Sequence, residues 1–202
     1  MSKKRKRGRP KGSKKHSGIV RISPQQERIQ LTNLTRTYKN KLLFAKTERA
    51  YNDYLGFYLE EVVELIFLSL GYQVSKYPRG SHLYKTVDIE AIKFYSNLPE
   101  LHLAIECLNS YSSYSYKYVN RIRTRLKIRM TNVGAYPLVI CVDKKKNFQY
   151  DPTILSEPFY FIEIGYQLHP DFITLKDYLS LKKKVRKVVS TIQKEWRKKN
   201  SP

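Results

Sequence analysis

Two acidic residues interrupt apolar segments in the middle of the chain: Asp88 in residues 86–95 (TVDIEAIKFY) and Glu106 in residues 101–108 (LHLAIECL). The length and apolar content of these segments predict two β-strands joined by a turn. If the turn centres near Leu98, Asp88 faces the residue two positions beyond Glu106. The two acids are then diagonal neighbours whose side chains point to the same face of the hairpin.

Two carboxylates at this separation repel each other unless a divalent cation lies between them. A site made of hard oxygen ligands suits Mg²⁺ or Mn²⁺. Glu106 in particular needs a partner, because its strand is nearly continuously apolar and is expected to be central in a sheet. That partner can instead be Arg121 or Arg125 of the following helix, with Asp88 as an ordinary acid at a strand edge. The residues alone leave both alternatives open.

The elements that would position these acids follow from the spacing of the apolar residues. Helical spacing runs from about residue 38 to 70, with Gly56 as a point where it breaks into two helices and Gly71 as its stop. Before it, residues 19–37 are expected to form a polar connector with a short helix from Gln25. The pattern then predicts strands at 72–77, 86–95, 101–108, 136–142 and 159–164, a basic helix at 118–130 and a long basic helix at 174–199.

The order of these elements and acids resembles the PD-(D/E)xK nuclease superfamily, in particular its archaeal Holliday-junction resolvase and type IV restriction endonuclease branches. In those branches a helix with a Glu leads into Gly-Tyr-x-Val. A strand with Val-Asp, a strand with Glu-x-Lys, a helix and a further strand follow. Here Glu60 precedes GYQV at residues 71–74, and Val87-Asp88 and Glu106 follow in the same order. The resemblance covers about residues 56–142.

This resemblance implies an α/β, restriction-endonuclease-like core of a helix, a three-stranded meander, a helix and a strand. It implies that Asp88 and Glu106 bind Mg²⁺ or Mn²⁺ and that Glu60 is a supporting acid. The family's lysine, which orients the attacking water and stabilises transition-state charge, is replaced by Leu108. Lys117, at the start of the next helix, is its best substitute, and Lys85 and Lys76 are weaker ones.

The first eighteen residues are basic and contain almost no apolar side chains, so they cannot fold alone and are expected to be a disordered tail. Their segment RGRPK (Arg7, Gly8, Arg9, Pro10 and Lys11) resembles the AT-hook, a short motif that lies in the minor groove. An extended Arg-Gly-Arg segment fits the narrow, electronegative minor groove of A·T-rich DNA, and nearby lysines add phosphate contacts. The alternatives are a solubilising tail, or a nuclear import signal in a eukaryote.

The whole chain carries the same charge bias, with a net charge of +22 from 39 Lys and Arg against 17 Asp and Glu. Such an excess favours a polyanionic partner. The longest apolar run is too short to span a bilayer, and no apolar segment follows the N-terminal charges as in a secretory signal. Cys107 and Cys141 lie in strand-like runs, which fits neither a disulfide framework nor a zinc site. The expected location is therefore intracellular and DNA-associated: nucleoid or cytoplasm, or the nucleus in a eukaryote.

These observations support three functional hypotheses. The first is a metal-dependent endodeoxyribonuclease acting on double-stranded DNA, A·T-rich or branched, with Arg121 and Arg125 among its DNA contacts. The second is a catalytically inactive nuclease fold that serves as an architectural or recruitment factor, which the Leu108 departure favours. The third is RNA binding.

The expected division of the chain is a tail at 1–18, a connector at 19–37, a nuclease-like domain at 38–165 and a basic C-terminal helix at 166–202. The resemblance also implies a homodimer, because resolvases of the superfamily cut two strands as symmetric dimers. The apolar face of the C-terminal helix is the expected interface between the two copies.

Overall fold

The computed structural model describes residues 22–76, 87–96, 98–109, 116–142, 159–164, 169–170 and 173–200, with only the backbone for 116–119. The AT-hook-like tail lies outside the described residues. Within these ranges the chain forms four helices, α1 (Pro24–Leu43), α2 (Glu48–Ser69), α3 (Tyr116–Val133) and α4 (Leu175–Asn200), and five strands, β1 (Gln73–Lys76), β2 (Ile89–Lys93), β3 (Leu101–Leu108), β4 (Tyr136–Val142) and β5 (Tyr160–Ile164).

The strands form one mixed sheet in the order β1-β2-β3-β4-β5. The first three strands are an antiparallel meander, whereas β4 runs parallel to β3 and β5 runs parallel to β4. The two central strands β3 and β4 are almost entirely buried, as strands covered on both faces should be. The expected α/β class is therefore correct.

Helices cover both faces of this sheet. On one face α2 packs against alternate residues of β3, including Leu103 and Ile105, while α4 packs against β5 and α1 packs on the outside of α2. On the other face α3 contributes Ile122 and Leu126 to a smaller cluster with Ala104, Leu108, Val139 and Cys141. This division follows from the two-residue period of a strand, since residues 103 and 104 point to opposite faces.

The helices at the N-terminal side differ from the expected pattern. Residues 19–37 were expected to be a connector with a short helix, but α1 runs for 20 residues from Pro24 and begins with a capping box at Ser23. The predicted break at Gly56 is wrong, because α2 continues through it. The helical structure is interrupted instead at residues 44–47, between the end of α1 and the start of α2, whose N-cap is Thr47. The predicted stop is correct: Gly71 has a φ of 78°, a backbone conformation that favours glycine.

Helix α4 is held in the core along one side. Its buried residues recur at helical spacing: Tyr178, Leu181, Val185, Val189, Ile192 and Trp196. The expected dimer interface on this apolar face is therefore wrong, because the face is already covered within the same chain. A buried carboxylate of α1 also fixes α4, since Glu27 accepts hydrogen bonds from the Tyr178 hydroxyl and from Lys182 Nζ.

Across the described residues, no helix combines the length and the apolar content that a helix needs to cross a bilayer.

Candidate functional site

Asp88 and Glu106 lie side by side at the end of the β2–β3 hairpin. Ile89 pairs with Ile105, so the register continued by one residue brings Asp88 opposite Glu106. The predicted diagonal relation is wrong by two residues, because the pairing of Ile89 with Ile105 centres the hairpin one residue before Leu98. Asp88 lies at the bend just before β2, where strand alternation no longer fixes its face, and it is close enough to Glu106 to raise the pKa of that carboxyl. Asp88 Oδ2 also accepts a hydrogen bond from the backbone N–H of Cys107, at 2.9 Å.

Glu106 is completely buried and its carboxylate is bound by an arginine. The side chain has 0% relative exposure, and Arg125 Nη2 donates to Glu106 Oε2 at 2.7 Å. Arg125 itself is only 16% exposed, so the pair is largely shielded from water. The second carboxylate oxygen, Oε1, is buried and has no hydrogen-bond partner among the described residues. The sequence left open whether Arg125 or a cation is the partner of Glu106, and the observed partner is Arg125.

The electrostatic environment of Glu106 favours the protonated form of its carboxyl group. Burial is the main cause that raises the pKa of Glu106 well above its ordinary value, and the neighbouring charge of Asp88 raises it further. Arg125 opposes this rise, and Glu60 adds to it. Burial together with the same acids also raises the pKa of the Cys107 thiol. Glu60, on α2, is therefore near enough to act on both residues.

A second ion pair repeats the arrangement one helical turn along α3. Arg129 Nη2 contacts Glu90 Oε1, and both side chains are 19% exposed. Arg125 and Arg129 are four residues apart and so lie on the same side of the helix. The acid of this pair, Glu90 in β2, faces α3 through its contact with Arg129. The sequence analysis missed this second pair, although arginines beside the apolar stripe of α3 were the available signal.

Of the position of the family's lysine and its three possible substitutes, the structure describes the side chains of Leu108 and Lys76. Leu108 is fully buried in the core beneath α3, so it leaves no space for a charged group at the family's usual position. Lys76 is bound to α2, with its Nζ 2.8 Å from Glu61 Oε1 and in contact with Glu64 Oε2. Lys117 belongs to the first turn of α3, but its side chain and all of Lys85 lie outside the described residues.

A divalent cation fits this group of acids poorly. In the described part of the chain, no group of three or more His, Cys, Asp or Glu side chains is arranged to bind a metal ion. One oxygen of Glu106 already accepts from a guanidinium, and one oxygen of Asp88 accepts from the backbone of β3. In this structure Asp88, Glu106 and Arg125 form a buried acid–arginine site in which Arg125 supplies the positive charge.

Basic side chains also cover the solvent side of the helices. On α3, Arg121 and Lys127 are exposed, whereas Arg125 points inward to Glu106 and is not available on that surface. On α4 the exposed basic residues are far more numerous: Lys176, Lys183, Lys184, Arg186, Lys187, Lys194, Arg197, Lys198 and Lys199. This solvent side of α4 is called the α4 basic face below.

Comparison of the chain with protein-family models, with curated protein sequences and with solved structures finds no match.

Proposed function

We propose that the chain is a DNA-binding protein on a nuclease-like α/β scaffold, and that it binds DNA without cutting it. The observation that carries this proposal is the buried ion pair between Glu106 and Arg125. The order of elements supports the scaffold, since α2 is followed by the β1-β2-β3 meander, then α3, then β4 parallel to β3. That is the sequence of elements expected of a restriction-endonuclease-like core.

The distribution of charge supports DNA as the partner. The chain carries a net charge of +22, and α4 alone presents the α4 basic face against two acids, Asp177 and Glu195. A helix of 26 residues is roughly 39 Å long, which is comparable to one turn of duplex DNA. Lysines and arginines along such a helix can follow the phosphates of one strand and release counterions when they bind.

The ion pair argues against cleavage at this site. A catalytic carboxylate in this family must reach a metal ion and water, but Glu106 is fully buried and one of its oxygens is bound to Arg125. Binding a cation there would require breaking the pair and leaving a guanidinium partly buried without its partner, which is costly. The position of the usual lysine holds a leucine that is packed in the core.

A metal-dependent endodeoxyribonuclease is the second candidate, and one observation favours it. Glu106 Oε1 is buried without a hydrogen-bond partner among the described residues, and it lies beside the Asp88 carboxylate, with Glu60 close enough to raise the pKa of Glu106. Buried polar atoms are usually satisfied, so this oxygen calls for either a proton shared with Asp88 or a bound cation. In this alternative Arg125 swings away from Glu106, and the acids share Mg²⁺ or Mn²⁺.

Binding and cleavage can be separated in two assays on the full chain. Fluorescence anisotropy would compare A·T-rich duplex DNA, G·C-rich duplex DNA, a four-way junction and duplex RNA over a range of salt concentrations. We expect DNA to bind more tightly than RNA, with affinity that falls steeply as salt rises. Equal affinity for duplex RNA and duplex DNA would contradict the proposal and favour general polyanion binding.

The second assay follows nicking of supercoiled plasmid and of the four-way junction in Mg²⁺ or Mn²⁺. Wild type is compared with Glu106→Ala and Lys117→Ala, and Lys127→Ala is the matched control on α3. We expect no nicking by any of the four proteins. Nicking by the wild type that disappears in Glu106→Ala would establish the second candidate, and its loss in Lys117→Ala as well would identify the relocated lysine.

A further inference from the structure

A polar cleft lies between α4, the end of α2 and the end of β2, remote from the face of the sheet that carries Glu106. Its volume is about 310 Å³, at the lower end of the range for small-molecule sites, about 300–1,000 Å³. Its lining residues are Ser69, Leu70, Tyr72, Lys93, Arg186, Val189, Ser190 and Gln193. The four lining residues that belong to α4 recur at helical spacing: Arg186, Val189, Ser190 and Gln193. One side of this cleft is therefore a rigid helix rather than a loop.

The polar groups of the cleft are mainly hydrogen-bond donors. Lys93 and Arg186 each carry a positive charge, and the Ser190 hydroxyl lies in the same lining, whereas the Ser69 hydroxyl donates to the backbone carbonyl of Ile66. None of the described residues that line the cleft is acidic. A concave site lined by two cations, the hydroxyls of Ser190 and Tyr72, and no carboxylate among its described residues is complementary to an anion.

Tyr72 is held as a donor at the floor of the cleft. Its side chain is 1% exposed, and its hydroxyl accepts a hydrogen bond from Gln193 Nε2 at 2.8 Å. Because that bond uses a lone pair of the hydroxyl oxygen, the phenolic proton is left to donate to a further acceptor. Burial raises the pKa of Tyr72 well above its ordinary value, so this proton is retained at physiological pH. Lys93 Nζ lies 4.9 Å from the centre of the Tyr72 ring and closes the same side.

We propose that this cleft binds a phosphoryl group, either free or at the end of a nucleotide, with Arg186, Lys93 and the Tyr72 hydroxyl as its donors. Arginine suits this ligand because its planar fork can donate two hydrogen bonds to one phosphate. The cleft is a pocket for one terminal group rather than a path for a duplex, but Arg186 also belongs to the α4 basic face, whereas Tyr72 and Lys93 belong to the cleft alone.

The test is an NMR titration of the full chain that follows the Gln193 side-chain amide, which is bonded to Tyr72. Inorganic phosphate, thymidine 5′-monophosphate and thymidine are added in turn. We expect both phosphate compounds to shift the Gln193 signal and thymidine to leave it unchanged. Tighter binding of the nucleotide than of inorganic phosphate identifies a nucleotide site, and equal binding identifies a site for the phosphate group alone. No shift with either phosphate compound, or an equal shift with thymidine, overturns the proposal.

Variants separate a built site from general positive charge. Arg186→Gln and Tyr72→Phe each remove one donor, and we expect each to weaken phosphate binding about tenfold or more. Arg49→Gln removes an equivalent exposed charge on α2, outside the cleft, and we expect unchanged affinity. Equal weakening by Arg186→Gln and Arg49→Gln would overturn the proposal. Binding of a duplex with 5′-hydroxyl ends is measured in the same variants. Tyr72→Phe lies outside the α4 basic face and should leave duplex binding unchanged, so this variant shows a failure of the cleft separately from a failure of DNA binding.

Discussion

Replacing Arg125 with methionine would remove the partner of a carboxylate that has no access to water. Glu106 is 0% exposed and accepts from Arg125 at 2.7 Å, so Arg125→Met leaves a buried carboxyl group that must either stay charged beside Asp88 or take up a proton. Breaking a buried ion pair in this way costs about 3–5 kcal/mol. Since Arg125 is 16% exposed, we expect the lower end of this range, about 3 kcal/mol.

The cost should depend on pH, and its sign follows from the raised pKa of Glu106. In the folded state Glu106 holds its proton to higher pH than in the unfolded state, so its contribution to stability falls as pH rises above the ordinary glutamate pKa. Arg125 lowers the pKa of Glu106, so its removal raises that pKa further. The difference between wild type and Arg125→Met is therefore expected to be larger at pH 8 than at pH 5.

Urea denaturation at these two pH values measures the free energy of unfolding directly. At a cost of about 3 kcal/mol, the melting temperature should also fall by about 6–12 °C for a chain of this size. Arg121→Met is the control, because Arg121 is exposed on the same helix and its loss should change stability little. The double variant Glu106→Gln/Arg125→Met should recover part of the loss, since it removes the buried charge together with its partner.

Two results would refute this reasoning. Equal stability of Arg125→Met and Arg121→Met would mean that the ion pair contributes nothing to the fold. Simple addition of the losses in Glu106→Gln and Arg125→Met would mean that the two side chains are not energetically coupled.

Three further predictions follow from the packing and the charge distribution. Leu108→Lys, which restores the family's lysine in sequence, should lower the free energy of unfolding by about 3 kcal/mol or more, because it puts a cation into the core beneath α3; a stable variant that nicks plasmid would contradict this. Gly56→Ala should stabilise α2 by about 0.5–1 kcal/mol in urea denaturation, since an added Cβ meets nothing within 4 Å, and a loss of stability would show that the glycine is needed. Replacing Lys183, Lys187 and Lys194 together with Gln should reduce the slope of log affinity for DNA against log salt by up to about 3; an unchanged slope would exclude the α4 basic face as the DNA contact.

The parts of the fold that could be predicted are those in which one local pattern decides the structure. Strands β3 and β4 have the bounds expected from the sequence, because each is a nearly unbroken apolar run between polar segments. A helix break was wrongly predicted at Gly56. A glycine is unfavourable in an isolated helix, but it is tolerated here because the flanking turns of α2 are buried. The length of α1 was underestimated, because its core contacts are few and widely spaced: Leu31, Tyr38 and Leu42.

The candidate site was predictable as a set of acids but not as a set of contacts. Pairing of the two predicted strands was enough to bring Asp88 and Glu106 close together, whereas the exact register depended on a turn whose centre the composition does not determine. Arg125 was named both as a partner of Glu106 and as a DNA contact, and only the packing of α3 against β3 distinguishes these roles. The pair of Arg129 with Glu90 joins residues far apart in sequence, which no local pattern specifies.

The buried Glu27 has a consequence for the kinetics of folding. It joins α1 to Tyr178 and Lys182 of α4 across 151 and 155 residues, so this contact closes a loop that contains the whole sheet. Closing so long a loop is entropically unfavourable until the intervening strands have paired. We therefore expect α4 to dock late, after the hairpin of β2 and β3 has formed, and substitutions at Tyr178 to accelerate unfolding far more than they slow folding.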